Sequence, residues 1–348
     1  MDNRDIDIRI EGCAGRITLT RPKALNALTY AMCLQIDAAL KAWTADDRVK
    51  LVLIDAEGDK AFCAGGDIAE MYATGTAGDF AYGQRFWADE YRMNARLFRF
   101  PRPVVTFLQG FTMGGGVGVG CHGSHRIVGE TAKVAMPECG IGLIPDVGGS
   151  LILARAPGRL GEYLGTTSAR MGPGDAILAG FADYFVPLDA WAELKSRLIE
   201  TGRWDAVTEA AKPPPPAPLA QMQGQIDRVF AGQTLRDILN ALAHDQSDFA
   251  REATGAIGRN APLSVAACVE LIHRVRSVPD DIQHALSLEY RFTARAMEKG
   301  DFLEGIRAAI IDKDRNPHWQ HADPSQVSLA EVAGMLLPLG ADALTFDD

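Results

Sequence analysis

Apolar and polar residues alternate at period two in Asp7-Ile8-Arg9-Ile10 and in Arg16-Ile17-Thr18-Leu19-Thr20, which predicts a β-hairpin around Gly12 and Gly15. Arg21-Pro22 breaks that strand, and the turn Lys23 to Leu28 leads through Thr29, a natural N-cap, into a helix over 30–46. Leu51-Val52-Leu53-Ile54-Asp55 reads as a core strand ending in the polar turn Ala56 to Lys60. From 80 to 99 the apolar positions Phe80, Trp87, Tyr91 and Phe98 recur at helical spacing until Pro101 and Pro103 intervene. A second buried strand follows over 103–108, then Gly114-Gly115-Gly116, then two short strands up to Met136-Pro137-Glu138.

After residue 150 strand signals fade, apart from Ala182 to Val186. Helical patterns cover 150–156, 158–165, 173–179 and 189–200, and a long series runs from about 217 to 310. Pro213 to Pro216 with Pro218 forms a stiff connector. The expected division is a mixed α/β body over 1–212 and a helical region over 213–348.

Composition narrows the class. The chain has 348 residues, 47% hydrophobic and 23% charged, which is ordinary for a globular protein with ample core. Its net charge of −10 argues against nucleic acid as a partner, so a phosphorylated ligand would need a local basic patch. Six scattered cysteines, with no C-x-x-C pair and no secretory signal over Met1 to Asp5, read as reduced thiols in the cytoplasm. The uncharged run between Arg102 and His122 holds six glycines and Gln109, so it reads as a buried strand and turn, and no membrane span is expected.

The candidate chemistry gathers in 103–150. Three glycines entering a helix leave backbone N–H groups uncovered, so a ligand oxygen can approach them. Ala64-Gly65-Gly66-Asp67 is a second such segment, readable alternatively as a plain turn with Asp67 as N-cap. An oxyanion hole needs two converging N–H donors, and two glycine-rich helix starts after the strands 51–55 and 103–108 can supply one each. Glu138 sits among Val134, Met136, Ile141 and Leu143; if buried, its pKa rises and suits proton transfer, and otherwise it is a surface residue on a strand end. Asp146, after Pro145, is a common turn residue unless it works with Glu138. Gly118 to Gly123 matches the dinucleotide fingerprint G-x-G-x-x-G but lies inside the helix, not at its start. His122 and His125 near Cys121 lack a third ligand at suitable spacing, so no metal is expected.

Four motifs in order, Arg21 to Leu28, Ala61 to Ile68, Gly114 to Gly116, and Pro137-Glu138 with Gly140-Ile141-Gly142, resemble the enoyl-CoA hydratase/isomerase (crotonase) superfamily over about 5–200. The resemblance implies an α/β, crotonase-like core, a stacked ββα superhelix, with a helical C-terminal extension. It implies an acyl-CoA substrate and no cofactor beyond the coenzyme A of the substrate itself. It places the oxyanion amides at Gly66 and Gly115, and substrate contacts at Lys23, Ala24, Leu25, Ala64, Gly65 and Asp67.

One departure selects a branch. Hydratases of the superfamily carry a glutamate four positions after the first glycine of the triplet, and here that position is Gly118. Glu138 matches the glutamate that remains, and Asp146 adds a carboxylate eight positions on. With Asp89-Glu90-Tyr91, Ile144 to Gly149, Ser287 to Arg291 and Asp301 to Ala308, the chain is similar to the branch that hydrolyses short branched 3-hydroxyacyl-CoA thioesters in valine-type catabolism. The resemblance implies Glu138 as nucleophile or general base, Asp146 as water-positioning or proton-shuttling residue, and Glu90 at the acyl end of the substrate. An enoyl-CoA hydratase or isomerase is the alternative, a non-catalytic acyl-CoA-binding protein the third reading, and a homo-oligomer is open.

Overall fold

The computed structural model describes residues 5–278 and 281–346; the start of the chain at 1–4, used to judge a secretory signal, and residues 279–280 of the helical series lie outside them. The chain forms two compact units. The first takes the residues up to Asp67, Arg92–Ala135 and Arg170–Ala220; the second takes Ile68–Tyr91, Met136–Ala169 and the chain from Gln221 on.

All strands among the described residues lie in the first unit: β1 (Ile6–Glu11), β2 (Ala14–Leu19), β3 (Leu51–Ala56), β4 (Ala61–Cys63), β5 (Val104–Leu108), β6 (Phe111–Met113), β7 (His125–Val128), β8 (Lys133–Ala135) and β9 (Tyr184–Phe185). They form a six-stranded sheet ordered β1-β2-β3-β5-β7-β9 and a three-stranded sheet ordered β4-β6-β8. Only β1 and β2 pair antiparallel. The turn uses Gly12 (φ +55°), whereas Gly15 pairs with Ile10 inside β2, where a side chain would strike Trp43. The hairpin is therefore tighter than the two glycines suggest. β3 and β5 are buried almost throughout and mostly apolar because both faces of a parallel strand are covered.

The pairs β3–β4, β5–β6 and β7–β8 each place one strand in the large sheet and the next in the small one, which gives the stacked ββα pattern. Their connecting turns stack as well. Gln109 Nε2 donates to the carbonyls of Ala56 (2.9 Å) and Gly58 (3.1 Å), and the Lys133 N–H donates to Gly110 O (2.7 Å). Gly110 has φ +55° and lies so close to Lys60 O that no Cβ fits. On the large sheet, Leu51, Leu53, Val105, Phe107 and Ile127 pack with Trp191, Leu194 and Leu198 of the helix Trp191–Thr201. Trp191 stands edge-on to Phe107 at 5.2 Å.

Five helices carry the rest of the argument: α1 (Tyr30–Thr44), α2 (Ala69–Thr76), α3 (Ala81–Phe98), α4 (Gly115–Gly120) and α5 (Gly149–Arg155). Thr29 caps α1 by accepting the Met32 N–H at 3.2 Å. Pro213 to Pro216 lie in the first unit, where Lys212 N–H donates to Phe185 O (2.9 Å) and Asp175 takes the Leu219 N–H (2.9 Å).

The second unit is helical. Trp87 of α3 meets Phe302 at 5.4 Å and Tyr91 meets Tyr290 edge-on at 6.2 Å. Glu162, fully buried, is held by Arg276, Arg159 and His273, so its charge is matched. No helix among the described residues is long and apolar enough to cross a membrane.

Candidate active site

In the first unit the two glycine segments lie side by side because they leave neighbouring parallel strands, β4 and β6. These are strands of the small sheet, not the longer core strands 51–55 and 103–108 from which the segments were expected to emerge. A Cβ on Gly116 would collide with Cys63 O, and one on Gly65 would lie 3.8 Å from Met113 O. Gly114 (φ +51°) turns the chain into α4, so that Gly115 begins it.

No helix starts at Gly66. The segment Ala64–Asp67 runs beside residues 25–28: Ala64 N–H donates to Leu25 O (3.0 Å), Leu28 N–H to Gly65 O (2.9 Å) and Asp67 N–H to Leu28 O (2.8 Å). In this parallel bridge the N–H of Gly66 points away from Leu28. Asp67 does not cap α2, whose N-cap is Ile68; its carboxylate pairs with Arg21 at 3.0 Å.

Lys23 and Ala24 are exposed and Leu25 is half-buried. Leu25 and Asn26 adopt left-handed φ values of 51° and 55°. That turn is fixed by the buried Asn26, whose Nδ2 donates to Glu57 O (3.0 Å) and Ala61 O (2.9 Å) and whose Oδ1 takes the Arg21 N–H (2.9 Å). Thus Lys23, Ala24, Leu25, Ala64, Gly65, Gly66, Asp67 and Gly115 all belong to the first unit. A recess of about 240 Å³ carries Lys23 and Lys60 on its wall, with Glu57 and Asp59 opposing their charge.

The second unit collects the acids. Glu138, 4% exposed, begins a 3₁₀ turn (Glu138–Ile141) directly after β8, rather than ending a strand. That turn is closed by Gly142 (φ +75°), packed too tightly on the Asp301–Phe302 backbone for any side chain. Asp146, also 4% exposed, precedes two left-handed residues, Val147 (φ 53°) and Gly148 (φ 79°). Glu90 is buried on α3. Neither carboxyl oxygen of Glu138, nor Oε1 of Glu90, has a hydrogen-bond partner among the described residues.

Burial raises all these acids, and the charge of Asp146 raises the other two further. Desolvation, then the charge of Asp146, pushes Glu138 and Glu90 well above the usual carboxylate range. Desolvation pushes Asp146 up to about 7, partly offset by the Tyr91 hydroxyl, which donates to Oδ2 at 2.7 Å. The Tyr91 hydroxyl favours the ionised form of Asp146.

Two partners of this cluster, Tyr91 and Glu289, were not singled out as site residues from the sequence. Tyr91 was read as one apolar position of a helical stripe and as the end of the motif Asp89-Glu90-Tyr91, without a role of its own. Glu289, 0% exposed, lies mid-helix in Ile282–Lys299, 143 positions beyond Asp146, where no local pattern marks it. A charged residue inside an apolar stripe was the one available signal.

Stacked ββα turns with paired glycine segments and a buried carboxylate cluster define a crotonase-type protein. The chain belongs to the enoyl-CoA hydratase/isomerase family, whose model matches residues 14–336. It is similar to a 3-hydroxyisobutyryl-CoA hydrolase, mitochondrial, of Rattus norvegicus, with 36% identity covering 99% of this chain and 92% of that protein. Among solved structures it resembles an enoyl-CoA hydratase from Rhodobacter sphaeroides (57% identity, TM-score 0.92, covering 99% of this chain and 100% of that one). It also resembles a carnitinyl-CoA dehydratase from Mycobacterium thermoresistibile (40% identity, TM-score 0.94, 99% of both chains).

Proposed function

We propose that the chain is an acyl-CoA thioester hydrolase that converts 3-hydroxyisobutyryl-CoA, or a related short 3-hydroxyacyl-CoA, to the free acid and CoA in valine-type catabolism. The observation that carries this reading is Glu138: a buried acid with two unpartnered oxygens, raised further by the charge of Asp146, while position 118 inside α4 is glycine. A buried polar group left without partners is one that a substrate can satisfy.

The reaction needs an acceptor for the developing oxyanion and a carboxylate that can shed its proton. Gly66 and Gly115 are proposed to donate their N–H groups to the thioester oxygen, each worth about 3 kcal/mol in the transition state. Glu138 hands its proton to Asp146. As a carboxylate it then either attacks the carbonyl carbon, giving a mixed anhydride that water afterwards splits to release the free acid and regenerate Glu138, or takes a proton from the attacking water. CoA departs as the thiolate and takes up the proton held by Asp146. Glu90 is proposed to bind the acyl end through its unpartnered Oε1, and Lys23 to attract a CoA phosphate.

The hydratase reading is less well supported, although two of the similar structures are described as a hydratase and a dehydratase. Addition of water across a double bond in this superfamily uses a second glutamate at the position of Gly118. Thiol release over a panel of acyl-CoAs, run beside the absorbance change of crotonyl-CoA hydration, separates the readings. Hydrolysis of 3-hydroxyacyl-CoAs with negligible hydration supports the proposal; comparable rates overturn it, and no turnover of any acyl-CoA would leave only a binding protein.

A thiol-reducing, cytoplasmic setting is proposed from the six free cysteines, five of them buried. Self-association is proposed from the exposed Leu329 and Leu337, and light scattering tests it.

A further inference from the structure

Glu289 is the one fully buried carboxylate of the cluster that the proposed reaction does not use. Its Oε2 accepts the Gly148 N–H at 2.9 Å; its Oε1 accepts the Ser150 N–H at 3.2 Å and the Ser150 hydroxyl. The residue that precedes α5, Gly148, has no side chain with which to satisfy these amides. A carboxylate far along the chain does so instead, gripping the backbone on either side of Gly149.

The turn so gripped is an awkward one. Val147 is β-branched and left-handed at φ 53°, a conformation that persists only when the surroundings impose it. Asp146, immediately before it, takes its direction from that backbone. The same stretch of helix serves the other half of the pair. Tyr290 packs edge-on against Tyr91, and Thr293 Oγ1 lies 3.4 Å from the Tyr91 hydroxyl. Positions 289, 290 and 293 thus hold the Asp146 turn and the Tyr91 ring together. Glu289 achieves this at an electrostatic cost, since it is desolvated and faces the charge of Asp146.

We infer that Glu289 is a positioning residue: through the amides of Gly148 and Ser150 it fixes the turn that points Asp146 at Tyr91, an inference that rests on Asp146 taking part in the proposed hydrolysis. Glu289→Gln keeps the size but puts an amide N–H₂ opposite backbone donors, so one arm of the grip is lost. In the full chain, kcat for thiol release should fall 10- to 100-fold with KM changed less than threefold. In an Asp146→Asn background the same substitution should lower kcat less than twofold further, because both act through one group. Glu289→Asp, which restores a carboxyl group, should recover part of the loss.

A kcat within twofold of the parent, or a loss that multiplies with Asp146→Asn, overturns the inference. If Glu289→Gln does not fold, Ser150→Ala removes only the hydroxyl arm. A severalfold lower kcat at unchanged KM then supports the inference, and an unchanged kcat overturns it. If the parent releases no thiol from any acyl-CoA, the functional reading falls, and the positioning claim is judged by crystallography of Glu289→Gln. Loss of the left-handed Val147 or of the Tyr91–Asp146 bond supports it; an unmoved turn overturns it.

Discussion

Tyr91 donates its hydroxyl to Asp146 Oδ2 across 2.7 Å, and this bond favours the ionised form of Asp146. Burial drives Asp146 upward; the phenol opposes that by stabilising the carboxylate. Tyr91→Phe removes the opposition without changing the shape of the ring. The proton acceptor should then need a higher pH to ionise. At pH 7 kcat should fall about tenfold, the effect of a rise of about one unit in the acceptor's pKa, and recover toward pH 9. A pH profile with an unmoved acid limb would count against the pairing.

Glu138 and Asp146 should prove separable in size but not additive. Glu138→Gln removes nucleophile and base together, so kcat should collapse while acyl-CoA still binds. Asp146→Asn removes a proton acceptor yet keeps a hydrogen-bonding group, so residual activity should be higher. The double variant should be hardly worse than Glu138→Gln, because groups that act as a unit lose their effect together. Single-turnover kinetics on the three variants test this; near-normal kcat in Glu138→Gln would sink the assignment.

Activity and stability should run in opposite directions with pH. The reaction needs ionised carboxylates, so kcat/KM should rise through a limb near pH 7, where Asp146 titrates. Stability behaves otherwise. Asp146 is raised from 3.8 to about 7 and Glu289 from 4.5 to about 8, so the folded chain keeps protons that the unfolded chain has already released. Their contribution is complete below about pH 4 and is lost as pH climbs toward 8. Asp146→Asn should therefore raise Tm relative to the parent at pH 8 more than at pH 5, measured by calorimetry. An equal shift at both pH values would contradict the burial of an acid there.

Gly116→Ala should fail as a fold rather than as a catalyst. The new methyl would drive into Cys63 O, which is backbone in a parallel pair and cannot swing aside. Overpacking of this kind costs roughly 1–3 kcal/mol. The expected result is a lowered Tm and a proportionate fall in soluble yield; an unchanged Tm would mean that β4 and α4 are less closely apposed.

The sequence made much of this legible where the physics is local. Thr29 caps α1 as its pattern implied, α3 ends before Pro101, and the apolar runs at 51–55 and 103–108 became β3 and β5. Glu138 and Asp146 stood out because a carboxylate amid apolar neighbours is costly unless it has a task. Other features depended on distant partners. Gly15 reads as a turn residue until Trp43 is seen covering it, and Asp67 as a cap until Arg21 claims its charge. Glu289 lay inside the motif Ser287 to Arg291, but its role could not be read from neighbouring residues, since its reason for being buried lies at Gly148 and Ser150.

The stacked turns at residues 57–60, 109–110 and 131–133 also limit how this scaffold can be re-engineered. Gly110 rests on Lys60, and Lys133 on Gly110, like the treads of a spiral stair. One residue inserted at 109–110 would slide β6 by about 3.3 Å and reverse its faces, carrying Gly115 with it. Length variation is instead affordable between α2 and α3, where residues 76–79 are exposed. Redesign of acyl preference should begin there, leaving the stair untouched.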